Sequence, residues 1–119
     1  MPLEAKDLGR LYDMLAWGKE AVDLLGAANL DDFINDRRTY LAVLHCVQVV
    51  GEAGWSLSDD VKASITEIPW PLIAGMRHRL VHDYGRIDPH RIYSVLRQGL
   101  PEVLIAIEAV LRREGGSVS

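Results

Sequence analysis

The sequence predicts an all-α fold, an up-and-down bundle of four principal helices joined by short ones, on three observations. Apolar residues recur at spacings of three, four and seven through most of the 119 residues. No run alternates with a period of two, and no hairpin turn separates two such runs. Short capping side chains and Gly or Pro punctuate the chain where one periodic segment gives way to the next.

The first helix is expected from about Leu3 to Ala28, with Leu8, Leu11, Leu15, Val22 and Leu25 on its apolar face and Asp7, Arg10, Lys19 and Glu20 on its polar face. Gly26 and Asn29 stop it. Asn29 or the aspartates after it then cap a short turn over Asp31–Asp36, which leads into a long helix from about Arg37 to Ala53. On that helix Tyr40, Leu41, Leu44, Val47, Gln48 and Gly51 trace a face that Val43, Val49 and Val50 widen, so burial on more than one side is expected. Cys46 falls among apolar neighbours and is read as an inert buried thiol, and His45 as exposed or hydrogen-bonded rather than a ligand. Ser58 starts a short helix through about Ser64. Pro71 suits the first turn of the next helix, because its missing amide would have no partner there. Leu72, Ile73, Met76 and Leu80 form the inward stripe of that helix, and Tyr84-Gly85 marks its exit. Asp88 and Pro89 open the last helix, which Pro101 should kink or split.

One domain spanning 1–119 is expected, with a frayed tail over about 115–119. A composition that is 49% hydrophobic and 25% charged excludes disorder. No apolar run approaches the roughly 20 residues of a membrane span, and no signal-peptide pattern is present. A single cysteine suits a reducing compartment, so a cytoplasmic location is expected. The net charge of −4 argues against a nucleic-acid binder, but residues 77–97 carry five arginines against two aspartates and three of the four histidines. Anion binding would be local to that segment.

Chemistry concentrates in the same place. Arg77, His82 and Tyr84 follow the pattern Arg, four residues, His, one residue, Tyr, with His78, Arg79, Asp83, Arg86 and Asp88 around them. Arg with His and no metal suits cleavage of RNA by its own 2′-hydroxyl. An imidazole can take the hydroxyl proton or protonate the leaving oxygen, and a guanidinium fork can hold the phosphate. His78, Arg79 and Arg86 are candidates for RNA phosphate binding or positioning. Alternatives stay open. An Arg and a His near a helix C-terminus can simply complement the helix dipole, Tyr84 can be a core-edge residue, and His78 with His82 could share a zinc ion with Asp83, Asp88 or His90. On a regular helix, residues five apart point about 140° away from each other. Arg77 and His82 therefore meet only if the helix unwinds near His82 or if another element or subunit completes a cleft.

Three stretches together, GMRHRLVHDYGRID at 75–88, DRRTYLAVLHCVQVVGEAG at 36–54 and EIPWPLIAGMR at 67–77, resemble HEPN-domain proteins, specifically the HepT-like toxins paired with minimal nucleotidyltransferase (MntA-type) antitoxins. The resemblance covers some 100 residues, to about Leu111. It implies a homodimer and a metal-independent, cofactor-free endoribonuclease toxin with Arg77 and His82 as the catalytic pair. Its partners would be an RNA substrate such as tRNA or mRNA and the nucleotidyltransferase, which would adenylylate Tyr84. Added phosphates at a site built for RNA phosphate would switch it off by repulsion and occlusion. His78 departs from the Asn or other polar residue common after the arginine, and Glu52 is given a structural role, bonding Arg77 or Arg79. The rival functions are a catalytically silent HEPN helper that binds a nucleotidyltransferase or a nucleotide, and a helical interaction module with no site.

Overall fold

A computed structural model of the chain describes residues 3–82 and 87–115, with the backbone alone over 79–82. Every element among the described residues is helical: α1 (Ala5–Leu25), α2 (Leu30–Asn35), α3 (Arg37–Trp55), α4 (Asp59–Ser64), α5 (Trp70–His82), α6 (Pro89–Ser94), a π-helical turn (Val95–Gly99) and α7 (Leu100–Arg113). The boundaries follow from local chemistry. The amides of Asp32, Val61 and His90 donate to the side chains of Asn29, Ser58 and Asp88 at 2.8, 3.3 and 2.9 Å, so each expected cap is made. A further cap is Asp36, which accepts from the Thr39 hydroxyl at 2.7 Å and the Thr39 amide at 3.2 Å. Those two bonds hold its carboxyl below the usual carboxylate range. Gly26, at φ 55°, ends α1 in the left-handed region that glycine enters without strain.

α3 is the central element. It packs along α1 on one side and α5 on another, while α7 covers α1. Burial on two sides is therefore as expected, but the centre of the stripe is not. Val43, Cys46, Val47, Val50, Gly51 and Gly54 face inward, whereas Leu41 is 48% exposed and Gln48 lies at the surface. Facing two partners moves the buried arc toward the residues that both can reach. Cys46 is buried, and that burial raises its thiol pKa, as an inert thiol requires. α5 begins at Trp70, one residue before Pro71. Of its expected stripe, Ile73 and Met76 are buried and Leu72 is half-buried. The side chain of Leu80, the Tyr84-Gly85 exit and the tail beyond Gly115 lie outside the described residues.

The last helix is split before Pro101, as expected, into α6 and α7 by the π-helical turn, but the split does not end it. The chain runs in helical geometry from Pro89 to Arg113, and the Leu100 amide reaches back five residues to the Val95 carbonyl. One extra residue in the turn makes room for the proline ring and accounts for the missing amide.

Asp7 corrects the expected polar face of α1. It is 5% exposed, and its carboxylate accepts the Ser58 amide and the Ser58 hydroxyl, each at 3.1 Å. A charge on the α1 surface thus becomes the anchor for the start of α4. Asp7→Ala leaves the amide and hydroxyl of Ser58 without that acceptor in a half-buried position. It should destabilise the protein by about 1–3 kcal/mol, read as a lowered melting temperature, with Asp7→Asn losing less.

Candidate active site

Arg77 lies where α5 crosses α3. A Cβ on Gly51 would sit 3.3 Å from Arg77 Cβ and 3.4 Å from its Cα, so glycine lets the two backbones come this close. The arginine side chain then runs along the end of α3. Its Nε is 3.0 Å from Glu52 Oε1, and its Cζ is 4.5 Å from the centre of the Trp55 ring. That Nε is buried, and its N–H is not aligned into a hydrogen bond, so the Glu52 contact acts as a charge pair. Glu52 and Trp55 are three residues apart and share one side of α3. Together they give the guanidinium a charge contact and a flat aromatic face. The structural role expected for Glu52 is met at Arg77.

α5 stays helical through His82, which removes unwinding as the way to bring the Arg77–His82 pair together. The side chains of Arg79 and His82 lie outside the described residues, as do Asp83, Tyr84, Gly85 and Arg86 entirely. His78 is exposed on α5. His90 pairs with Asp88 at 3.0 Å, and the exposed His45 meets Trp17 edge to face, with ring centroids 5.4 Å apart. Among the described residues no group of three His, Cys, Asp or Glu is placed to hold a metal ion.

One cation of the positive segment is held at the end of α1. Arg97 donates to the carbonyl of Gly26 at 2.8 Å and also to that of Ala28. It ties the last helix to the end of α1, complementing the carbonyls left open there. The residues that sequence spacing missed are Trp55 and Lys62, whose ammonium lies 5.5 Å from the Trp55 ring centre. Glu52 and Trp55 at i and i+3 held the signal for a shared face, so the cation expected at Glu52 could also have been expected on the Trp55 ring.

A bundle with no strand among its described residues is compatible with the HEPN-type helical domains. Within them, the chain belongs to the HepT-like ribonucleases: the family described as Ribonuclease HepT-like matches residues 18–110. RNase MJ0125 of Methanocaldococcus jannaschii, a provisionally named protein, is 28% identical over 102 residues, covering 86% of this chain and 88% of that one. A Thermococcus cleftensis protein provisionally named ribonuclease HepT is 32% identical over 73 residues, 61% of this chain and 66% of its own. RNase TTE0752 of Caldanaerobacter subterraneus, also provisionally named, is 25% identical over 93 residues, 78% of this chain and 83% of its own. No solved structure matches. No helix among the described residues is long and apolar enough to cross a membrane.

Proposed function

We propose that the protein is the ribonuclease toxin of a toxin–antitoxin pair, that Arg77 and His82 cleave RNA by 2′-hydroxyl attack, and that a nucleotidyltransferase antitoxin silences it by adenylylating Tyr84. The observation that carries this is the Arg77 guanidinium, fixed between Glu52 and Trp55 in a chain of the HepT-like family. In the reaction the 2′-oxygen bonds to phosphorus and the bond from phosphorus to the 5′-oxygen breaks. One imidazole removes the 2′ proton, and a proton is delivered to the leaving oxygen. Arg77 stabilises the charge that builds on the non-bridging oxygens. The products are a 2′,3′-cyclic phosphate and a 5′-hydroxyl.

A second copy of the chain supports this chemistry in two ways. It can set the His82 of one protomer opposite the Arg77 of the other, which the helical geometry of one α5 cannot do. It also provides two imidazoles for two proton transfers. Apolar surface for such a dimer is present: Ile34, 37% exposed, and Leu41 line a groove of about 440 Å³ with Tyr40, Leu44 and Ile87. The melting temperature should therefore rise with protein concentration. A monomer at micromolar concentration by sedimentation would count against the shared cleft.

The test of function is expression of the wild type beside Arg77→Ala and His82→Ala. Wild type should arrest growth and leave cyclic-phosphate RNA ends, with no loss on adding a chelator, and both variants should do neither while staying folded. Cleavage retained in both overturns the assignment. With the nucleotidyltransferase and ATP, one adenylate should appear on Tyr84, and Tyr84→Phe should escape silencing.

A further inference from the structure

We infer that the cavity between the end of α3 and the start of α5 is a nucleobase subsite, which takes one base of the RNA strand next to the phosphate held by Arg77. The inference rests on the ribonuclease function proposed above and adds a substrate contact to it. The cavity has a volume of about 210 Å³ and is lined by Trp55, Lys62, Trp70, Pro71 and Ala74 over a floor of Gly54 and Ile73.

The walls are built before any ligand arrives. The Trp70 indole donates to the Ile65 carbonyl at 2.9 Å, which fixes its ring. The floor is closely packed, since a Cβ on Gly54 would fall 2.7 Å from Ile73 Cγ2 and 3.3 Å from Met14 Cε. Trp55 is different. It is 54% exposed, a large apolar side chain left to water at the mouth of the cavity. Two cations attend its ring, the Arg77 guanidinium at 4.5 Å and the Lys62 ammonium at 5.5 Å. Lys62 is steered there by its bond to the Trp55 carbonyl at 3.2 Å.

An aromatic wall flanked by cations suits a flat base attached to a polyanion. Bases bind by their π faces whatever their sequence, and nearby Lys and Arg hold the phosphates. An apolar protein partner would bury the Lys62 ammonium, whose bond is to the neutral Trp55 carbonyl and not to a carboxylate. Because Trp55 both touches Arg77 and lines the cavity, the bound base belongs to a nucleotide adjoining the scissile phosphate. The site therefore accepts single-stranded RNA, whose bases are free to leave the stack.

The probe is a 2′-O-methyl RNA oligomer, which lacks the attacking hydroxyl and cannot be cleaved. In an anisotropy titration, wild type should bind it about tenfold more weakly when one particular position is abasic, the loss of one stacked base. Trp55→Ala should weaken the intact oligomer by a similar factor and become indifferent to that abasic position. Trp55→Phe should retain most of the affinity. Ala74→Leu, at an exposed helix position that lines the cavity, should also abolish the abasic penalty. A penalty that persists in both Trp55→Ala and Ala74→Leu overturns the subsite. So does a change from dimer to monomer in Trp55→Ala by sedimentation, which would make the cavity an interface. If wild type cleaves RNA with the Arg77 and His82 dependence while the Trp55 variants bind as wild type does, only the subsite falls. If wild type neither binds nor cleaves RNA, the ribonuclease assignment falls first.

Discussion

Arg77→Ala should lower kcat/KM for RNA cleavage by about 10²–10³, the loss seen when one preorganised donor to a developing oxyanion is removed. His82→Ala should lose about 10²–10⁴, the range of a positioned general acid or base. The two losses should not add, because both groups act on one transition state. Arg77→Lys is the informative conservative change. It keeps the charge but not the planar fork, and it gives up the guanidinium contact with the Trp55 ring, 4.5 Å away. It should recover only part of the alanine loss. Glu52→Gln tests the clamp separately from the chemistry. The carboxylate is 3.0 Å from Arg77 Nε, so removing its charge loosens a guanidinium that still exists. The expected result is a fall in kcat of about tenfold with KM little changed, because a displaced group costs most in the transition state. Wild-type rates for Arg77→Ala in single-turnover assays would remove Arg77 from the mechanism, whatever its contacts.

Helix positions were legible in the sequence because they are set locally. Asn29, Ser58 and Asp88 each supply one acceptor to an amide two or three residues on, and that chemistry is complete within a turn. What could not be read was decided by contacts across the chain. Asp7 is an ordinary polar-face residue until Ser58, 51 positions later, arrives beside it. Leu41 and Gln48 continue an apolar stripe by spacing, but α1 and α5 together take the residues between them. Arg97 looks like part of a cationic patch and is committed to carbonyls at Gly26 and Ala28. The site divides the same way. The Arg-to-His spacing is visible in one stretch, whereas the residues that fix Arg77 belong to a helix that ended more than twenty residues earlier. Periodicity assigns a face to a side chain but not the neighbour it meets there.

Phe33→Ala should be among the most damaging substitutions for stability while leaving the chemistry alone. Phe33 is fully buried on the six-residue α2, an element too short to hold itself. Its ring lies 5.4 Å from that of Tyr40 on α3 and 6.0 Å from that of Tyr93 on α6. One side chain thus joins the start of the central helix to the helix that follows the Arg-His-Tyr stretch. Truncation removes apolar burial and two aromatic contacts and leaves a cavity between three elements, at a cost of about 3–5 kcal/mol. That is a large share of the roughly 5–15 kcal/mol that holds a domain together. At about 4 °C for each kcal/mol in a chain of this size, the melting temperature should drop by about 12–20 °C at fixed protein concentration. Phe33→Leu keeps most of the volume and should cost under about 1.5 kcal/mol. Below its own melting range, Phe33→Ala should cleave RNA with near wild-type kcat, because no part of the ring reaches Arg77. Arg77→Ala should behave in the opposite way, melting near wild type and cleaving almost nothing. A melting temperature within about 3 °C of wild type for Phe33→Ala would mean that α2 contributes little to the fold, and that α6 is held by other contacts such as Tyr93 to the Ala28 carbonyl.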